Sequence, residues 1–401
     1  MQMLQTIGHI IFLIVFIYMG LGILYLLALA IGGVIRRKKV YKPVEHKNRI
    51  AVLIPAYKED VVILDTALKA SRHNYPKDKF EVYVIADKLQ DATIQKLESI
   101  PVNVVRVKFE SSTKAKSLQA ALHRIEALNF DHVLILDADN VMELGCMEQV
   151  NAALVNGAAA VQCHRTAKNK HTAVAVLDAI SEEINNHLFR KGPQAFNVSA
   201  NLIGSGMAFR YTGIREILDL PHILTNPGED REIDLQLMKR GINTEYLDDA
   251  IVYDEKVASA QVFEKQRVRW LEAQVMHFKR FMDADIRSAR LNSDYINKFV
   301  QTLLLPRSLY ILALGLMMSL ALIDYIFKLN ILYPAPIWWV VMAAVFALML
   351  LISIPASLYN GRTLRAVMHI PVLILSMVKA LLKIKKNRTE FLHTEKKYTS
   401  G

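Results

Sequence analysis

Cysteine is scarce in this sequence: 401 residues contain only 2, Cys146 and Cys163. Both fall within the predicted globular part, so no disulfide framework is implied and a reducing cytosol is the expected environment. Charged residues are also few, at 22% against 53% hydrophobic residues. This composition is too apolar for an ordinary soluble protein. The apolar residues must therefore be segregated along the chain.

Charge is missing altogether from residues 10–35, a stretch long enough to cross a bilayer. The stretch lacks an A-x-A-like cleavage site and continues into a basic cluster at 36–39. We therefore expect an uncleaved anchor whose carboxyl end faces the cytoplasm. Second and third spans are predicted at about 308–323, extending at most to 327, and at about 336–359. The basic residues after the third span would then also lie inside, as the positive-inside rule requires.

The net charge of +11 is concentrated around the apolar segments. This distribution favours an anionic membrane surface over nucleic acid as the partner. Residues 366–382 are apolar but are interrupted by His369, Pro371 and Lys379. A fourth span there would put the basic tail outside, so an amphipathic helix in the cytoplasmic interface is preferred over a further crossing.

Between the first and second spans, strand-like and helix-like segments alternate as in an α/β domain. Strands are predicted at 49–56, 80–87, 102–109, 133–136, 158–163, 244–248 and 250–253. Helices are predicted at 60–72, 92–99, 114–128, 147–155, 171–190, 233–240 and 263–281. Because helices separate successive strands, the sheet should be mainly parallel.

Two carboxylates follow the apolar run 133–136, which indicates a strand buried on both faces. In an extended chain residues i and i+2 point the same way, so Asp137 and Asp139 would project together from the carboxyl end of this strand. Open α/β sheets bind ligands at that edge, and two hard oxygen ligands suit Mg²⁺ or Mn²⁺ carrying a diphosphate. For a lone D-x-D, a helix cap or an Asx turn is the commoner explanation.

Three predicted helices carry polar groups with two interpretations each. Asp230 lies at or near the N-terminus of helix 233–240, either as a capping carboxylate or as a general base with a raised pKa. Lys114 and Lys116 open helix 114–128, whose N-terminus suits an anion, although a solvated polar face is the simpler interpretation for Lys116. The polar side chains at 181–186 are more often solvated than functional.

Helix 263–281 is amphipathic and carries two arginines. Arg267 and Arg269 diverge by about 200° on a straight helix, so both could reach one ligand only at a helix start or a kink. The alternative is a basic helix on lipid headgroups, with Trp270 as an interfacial anchor. Earlier in the chain, Gly204 and Gly206 either let the backbone approach a ligand closely or form a turn between two strands.

Seven short motifs follow one another between about residues 49 and 274. They are Pro55-Ala56-Tyr57-Lys58-Glu59, Asp87, Lys114-Ala115-Lys116-Ser117-Leu118-Gln119, Asp137-Ala138-Asp139, Gly204-Ser205-Gly206-Met207, Glu229-Asp230 and Gln266-Arg267-Val268-Arg269-Trp270. With the flanking apolar segments, they resemble the processive-type family 2 glycosyltransferases, the group that includes cellulose, chitin and hyaluronan synthases.

The resemblance implies an α/β fold of the GT-A type, with a cytoplasmic glycosyltransferase domain at 41–257. Around it we expect an N-terminal transmembrane anchor at 1–40, interfacial amphipathic helices with QRVRW at 258–300, and two transmembrane helices at 301–360. A basic cytoplasmic tail with an interfacial helix would follow at 361–401. The expected location of this multi-pass protein is the inner (plasma) membrane.

The resemblance also implies roles for the site residues. The nucleotide-sugar donor would contact Pro55, Ala56, Tyr57, Glu59, Asp87, Lys114, Asp137, Gln266, Arg267 and Arg269. The acceptor would contact Gly204, Ser205, Gly206 and Trp270. Asp137 and Asp139 would hold Mg²⁺ or Mn²⁺, and Glu229-Asp230 would supply the catalytic base.

The implied reaction is a metal-assisted single displacement that transfers a sugar from a nucleotide-diphosphate donor, taken as a UDP-sugar, to a growing polysaccharide and forms a β-linkage. The chain departs from the family where Lys58 replaces an Asn, where Ala86-Asp87-Lys88-Leu89 stands for D-D-G-S, and after Trp270, where a glycine is missing. Three spans are too few for a polymer channel. This leaves a homo-oligomer, an export partner, or non-processive transfer to a polyprenyl-linked glycan. An inactive nucleotide-binding component of a polysaccharide export complex is the alternative of another class.

Overall fold

An eight-stranded sheet occupies the middle of the chain, and long apolar helices lie on both sides of it in sequence. The computed structural model describes residues 2–226, 228–283, 286 and 292–384. The strands are β1 Ile50–Tyr57, β2 Phe80–Asp87, β3 Asn103–Val107, β4 His132–Ile135, β5 Val141–Met142, β6 Ala160–Ala167, β7 Met207–Arg210 and β8 Thr244–Asp254.

The helices before the second apolar segment are α1 Gln2–Ile35, α2 Ile63–Ser71, α3 Asp91–Glu98, α4 Lys114–Ile125, α5 Cys146–Val155, α6 Ala173–Asn186, α7 Gly192–Gln194, α8 Tyr211–Leu218, α9 Pro221–Leu224, α10 Glu229–Lys239, α11 Ala260–Arg280 and α12 Ser293–Leu303. After them come α13 Arg307–Phe327, α14 Pro336–Ser353, α15 Gly361–Val367 and α16 Ile370–Leu382.

The strand order in the sheet is β3-β2-β1-β4-β7-β6-β8-β5. β1 runs parallel to β2 and β4, as do β2 to β3 and β6 to β8. β7 is antiparallel to β4 and β6, and β5 is antiparallel to β8. The predicted mainly parallel α/β sheet is confirmed, with an antiparallel strand inserted at its centre and another at its edge.

Both faces of the central strands are covered. Ile50, Val52 and Ile54 of β1 belong to one hydrophobic cluster, whereas Ala51 and Leu53 belong to the cluster on the opposite face. The two-residue period of a strand therefore explains why the run is continuously apolar. All four residues of β4 are buried for the same reason. The polar residues that follow these strands gather at one edge of the sheet.

Two elements differ from their predicted form. The patterns at 244–248 and 250–253 predict two strands, but β8 is a single strand. Its pairing with β6 shifts between Cys163 and His164, which pair with Leu247 and Ile251, so the residues between those two break the apolar pattern without ending the strand. The helix predicted at 171–190 ends earlier, and a π-helical turn, His187–Lys191, follows it.

Among the described residues, three helices are long and apolar enough to span a membrane: Gln5–Ile35, Arg307–Phe327 and Pro336–Ser353. They share one hydrophobic cluster, to which Tyr310 and Trp339 contribute. Residues 366–382, predicted as one interfacial helix, lie in the two helices α15 and α16, which bend by 48° at their break and together are apolar enough for a span. The interfacial placement stays a prediction. The basic tail predicted beyond residue 384 lies outside the described residues.

The basic cluster after the first apolar helix has partners on β8. Arg36 pairs with Asp248 at 2.6 Å, and both side chains are largely buried. Lys38 and Lys39 pair with acidic residues of the same strand. These ion pairs fix the carboxyl end of α1 against the sheet domain.

Candidate active site

A cavity of about 750 Å³ lies where the carboxyl ends of β1, β2 and β4 meet α4, α10 and α11. The predicted site residues that line it are Pro55, Tyr57, Glu59, Asp87, Lys114, Asp137, Asp139, Gly204, Glu229, Asp230, Gln266, Arg267, Arg269 and Trp270. Ala56, Ser205 and Gly206 do not line it. The Ala56 side chain belongs instead to the hydrophobic cluster on one face of the sheet.

Lys114 is the cation at the centre of the carboxylates. Thr113 caps α4 by accepting from the backbone N–H of Lys116, which places Lys114 in the first turn. The Lys114 ammonium lies 2.5 Å from Asp137 Oδ1 and 3.6 Å from Glu229 Oε1, and it also donates to the Gly204 carbonyl. Burial opposes its charge, but the two carboxylates outweigh burial and raise the pKa of Lys114.

Ser205 supports the D-x-D loop through its side-chain hydroxyl, whereas the Gly206 N–H donates to the Ile135 carbonyl of β4. The backbone N–H of Asp137 donates to Ser205 Oγ at 2.9 Å, and Ser205 Oγ donates to Asn140 Oδ1 at 3.0 Å. Gly204 faces the cavity instead: at its φ of +81°, an added Cβ would lie 3.5 Å from Asp230 Oδ2. The segment is a bend between the loop after α7 and strand β7, so it does not join two strands directly, and close approach of its backbone to a ligand stays a prediction.

Glu229 and Asp230 form the first turn of α10, as the sequence predicts for Asp230. Asp230 Oδ1 accepts from the backbone N–H of Arg231 at 2.9 Å. Glu229 is 8% exposed, and burial, with the nearby charge of Asp230, raises its pKa to about 7 although Lys114 acts in the opposite direction. The pair therefore places two carboxyl groups with different environments side by side.

Arg267 and Arg269 stand two residues apart on an uninterrupted helix, Ala260–Arg280, so their side chains start in different directions. Arg267 turns towards α6, where it pairs with Asp178 at 2.7 Å, and its guanidinium lies 4.0 Å from the ring centroid of Trp270. Arg269 lines the cavity from a different direction. The structure thus gives Arg267 a protein carboxylate as its partner.

Comparison with known proteins identifies this arrangement. The family described as "Glycosyltransferase like family 2" matches residues 47–273, which is more than half of the chain. The chain belongs to the family 2 glycosyltransferases. The matched segment contains the whole sheet and the QRVRW motif of α11, so the family assignment covers the cavity walls contributed by both.

Two relatives show how far the similarity extends. The probable glycosyltransferase YdaM of Bacillus subtilis (strain 168) is 24% identical over 237 residues, which are 55% of this chain and 54% of that protein. The match thus spans about half the length of that relative. The structure of the mannosyltransferase PcManGT from Pyrobaculum calidifontis, in complex with GDP-Man and Mn²⁺, covers 94% of this chain and 99% of its own. With a TM-score of 0.54 at 17% identity, the chain has the same fold as PcManGT.

Asp87 is the buried carboxylate in the cavity wall of this glycosyltransferase that most needs a hydrogen-bond donor. It ends β2, is 1% exposed and lines the cavity, and neither of its carboxylate oxygens has a hydrogen-bond partner among the described residues. A buried carboxylate without a partner is costly, so the site should receive a donor group from a bound molecule.

The departures from the family's motifs fall at unusual backbone positions. Lys58 and Lys88 have φ of +55° and +56°, a region that Asn and Gly adopt more readily than Lys. These are the positions at which the family has Asn and Gly. The ammonium groups of both lysines lie 5.4 Å from the ring centroid of Tyr57. At both positions the backbone therefore adopts a conformation that the lysine present there does not favour.

Sequence reasoning missed a buried charge network beside the cavity. The prediction of a solvated face at 181–186 is wrong for Glu182, which is 5% exposed and pairs with Arg165 at 3.0 Å and Lys256 at 3.2 Å. Burial opposes its charge, but these two cations hold the pKa of Glu182 well below its usual range. The available signal was the spacing of Asp178, Glu182 and Asn186, which recur every four residues on one helix face.

The chemistry of the D-x-D carboxylates fits a divalent metal that binds together with a diphosphate. Asp137 and Asp139 both line the cavity, and Asp139 Oδ2 accepts from the backbone N–H of Glu255 at 3.1 Å. In the described part of the chain, no three His, Cys, Asp or Glu side chains are grouped to hold a metal by themselves. Mg²⁺ in phosphate-transfer sites commonly takes one or two carboxylates and completes its shell with phosphate oxygens and water.

Proposed function

We propose that the protein is a membrane-bound inverting glycosyltransferase. It transfers a sugar from a nucleotide-diphosphate donor, a UDP-sugar, to a hydroxyl of a growing glycan. One observation carries the proposal: the carboxylate pair Asp137 and Asp139, the acid Asp230 of a later helix and the ring of Trp270 line a single cavity. A sugar diphosphate and an acceptor hydroxyl can meet there, as transfer in one step requires.

The donor side combines a buried carboxylate, an aromatic ring and the two carboxylates of the D-x-D motif. The buried carboxylate of Asp87 is suited to accept from a nucleobase N–H, and the ring of Tyr57 offers a stacking surface beside it. Asp137 and Asp139 would hold Mg²⁺ or Mn²⁺, which supplies Lewis-acid neutralisation of the leaving diphosphate. The Mn²⁺ and GDP-Man in the PcManGT structure support this class of donor and metal.

In the chemical step, Asp230 takes the proton of the acceptor hydroxyl. The hydroxyl oxygen attacks the anomeric carbon from the face opposite the diphosphate. The new carbon–oxygen bond forms as the bond to the diphosphate oxygen breaks, so one inversion converts an α-linked donor into a β-linkage. Lys114 and Arg269 contribute positive charge towards the leaving diphosphate.

The same proposal places α1, α13 and α14 across the inner membrane and residues 41–257 in the cytoplasm. The hydropathy of the three helices supports this placement, as does the basic cluster at 36–39. Residues 258–300 would lie at the interface, and 361–401 would form a basic cytoplasmic tail. Extrusion of a polymer would need a second copy of the chain or an export partner.

A screen of nucleotide sugars with the purified full chain tests the proposal. We expect one UDP-sugar to release UDP in the presence of Mn²⁺ or Mg²⁺, and EDTA to abolish the release until metal is restored. Asp137→Asn should lower the rate at least about tenfold, whereas Glu216→Gln, on the exposed surface of α8, should not change it. If UDP binds but no nucleotide sugar is turned over, the alternative of an inactive export component replaces the proposed enzyme.

A further inference from the structure

The cavity does not end at the catalytic residues. It continues between the helices that are apolar enough to cross a membrane, where it is lined by Leu305, Ile311, Leu350, Ile354, Leu373 and Met377. These side chains belong to α13, α14, α16 and the short connections beside them. One continuous space therefore has a polar part at the sheet and an apolar part, which we call the apolar arm, at the membrane helices.

Arg307 lies where the two parts meet. It is the first residue of α13, it lines the cavity, and it donates to Asn185 Oδ1 at 2.7 Å and to Ser181 Oγ at 2.8 Å. All of its hydrogen-bond partners are neutral, and within the described residues it forms no ion pair. A guanidinium in a cavity without a carboxylate partner has unused capacity for an anion.

Two further groups at the same place point to an anion. Ser308 lines the cavity, and its buried hydroxyl has no hydrogen-bond partner among the described residues. The first turn of α13 contains no acidic residue, and the side chain of Pro306 at its N-cap offers no hydrogen bond. The N–H groups of Leu309 and Tyr310 already donate to the Pro306 carbonyl, so it is the positive end of the helix dipole at Arg307 and Ser308 that favours a negatively charged ligand.

The surrounding charges are unbalanced in the same sense. Arg190 is 4% exposed and also lines the cavity, where its Nη1 donates to Asn186 Oδ1 at 2.9 Å and its Nε has no partner in the described chain. The nearby Arg165 and Arg267, by contrast, each have a carboxylate partner. Glu182 acts on Arg190 and Arg307 only from beyond ion-pair distance, so a ligand phosphate would give these two arginines the direct anionic partner that the described residues do not give them.

From this geometry we infer that the acceptor is carried on a lipid phosphate. The phosphate binds Arg307 and the start of α13, the hydrocarbon chain lies in the apolar arm, and the sugar end reaches Trp270 and Asp230. The inference rests on the proposed function, because it takes the same cavity as the transferase site. A free polysaccharide would leave both the apolar walls and the unpaired cations without a partner.

Binding of defined lipids to the full chain in a phosphate-free maltoside detergent tests the inference. The probes are geranylgeranyl phosphate, geranylgeraniol and inorganic phosphate, with affinities measured by native mass spectrometry. We expect the lipid phosphate to bind at least about tenfold more tightly than either other probe, because only it fills both parts of the site. If geranylgeraniol bound as tightly as geranylgeranyl phosphate, the phosphate would not contribute to binding and the anion site would be disproved. If inorganic phosphate bound as tightly, the hydrocarbon chain would not contribute and the apolar arm would be disproved as a binding site.

Variants test whether the preference for the lipid phosphate arises at Arg307, where the polar part of the cavity meets the apolar arm. Arg307→Gln should weaken binding of the lipid phosphate about tenfold and leave binding of the alcohol unchanged. Ser308→Ala should also weaken binding of the lipid phosphate, by a smaller factor. It provides the test if Arg307→Gln does not fold. Lys379→Gln removes an exposed positive charge of α16 that does not line the cavity, so it should have no effect. Unchanged lipid-phosphate binding in both Arg307→Gln and Ser308→Ala would overturn the inference.

The proposed enzyme and this inference fail separately. Release of UDP from a UDP-sugar by the wild-type chain, without any added lipid, reports on the transferase site alone. Selective binding of geranylgeranyl phosphate, without any nucleotide sugar, reports only on the phosphate site at Arg307 and on the apolar arm.

Discussion

The two ends of the cavity differ in charge and in the elements that form them. At the sheet end, Asp87, Asp137 and Glu229 follow strands or open a helix, and Lys114 is the central cation. At the membrane end, Arg190 and Arg307 line the walls without carboxylate partners in the described chain. Under the proposed function, the first end takes the metal-bound donor and the second takes the phosphate of the acceptor, so each end of the cavity can be tested separately.

The sharpest test of the sheet end is Asp230→Asn. Removing the base should lower sugar transfer by about 10²- to 10⁴-fold, which is the usual contribution of general base catalysis. Donor binding should be retained, because the substitution keeps the shape of the side chain and its contact with the α10 backbone. Transfer rates and calorimetric titration with UDP and Mn²⁺ measure the two effects, with Glu216→Gln as the control. A variant that keeps most of its turnover would remove Asp230 from the mechanism.

At the membrane end, Glu182→Gln tests whether the buried network supports the cations around the cavity. Arg165 and Lys256 would lose one of their two shared carboxylates and keep Asp254, and the loss of charged hydrogen bonds in a buried place typically costs about 2 kcal/mol in the free energy of unfolding. Thermal unfolding of the detergent-purified chain should show a clearly lower midpoint than wild type. A change as small as that of a surface substitution would mean that water replaces the missing charge.

The pH dependence of stability tests a second carboxyl group of the sheet end, Glu229. The pKa of Glu229 is raised to about 7 in the folded protein, so the folded state holds this proton more tightly than the unfolded state does. The resulting stabilisation is present at low pH and is lost as pH rises through about 7. The unfolding midpoint of wild type should therefore fall between pH 5 and 8 more steeply than that of Glu229→Gln. Parallel curves would show that Glu229 does not titrate in this range.

The smallest expected effect concerns the turn after β2. Because Lys88 has a φ of +56°, Lys88→Gly should relieve strain of about 1 kcal/mol. Lys88→Ala is the matched control, since it removes the same side chain but keeps the strain. The glycine variant should thus be the more stable of the two in thermal unfolding, the reverse of their order in a helix. The opposite order would show that this turn is not strained by its side chain.

Much of the fold was predictable because its signals are local. The second strand was predicted with the bounds that the structure has, 80–87, and the helix start at Lys114 was also correct. The single long β8 was not predictable, because its register shift depends on pairing with β6. The burial of Glu182 was missed for a related reason, since its cations come from residues 165 and 256.

Short-range pattern was sufficient to specify the apolar helices, the alternation of strands and helices, and the carboxylates at the ends of strands. These features follow from side-chain period and from the polarity of neighbouring residues. Packing in three dimensions paired Arg267 with Asp178 and joined the carboxylates at the sheet to the apolar arm in one cavity. Within the described residues, it also left the Asp87 carboxylate without a hydrogen-bond donor and Arg307 without an ion pair. Such relations depend on segments far apart in the chain, and their charges interact only once folding has excluded water between them.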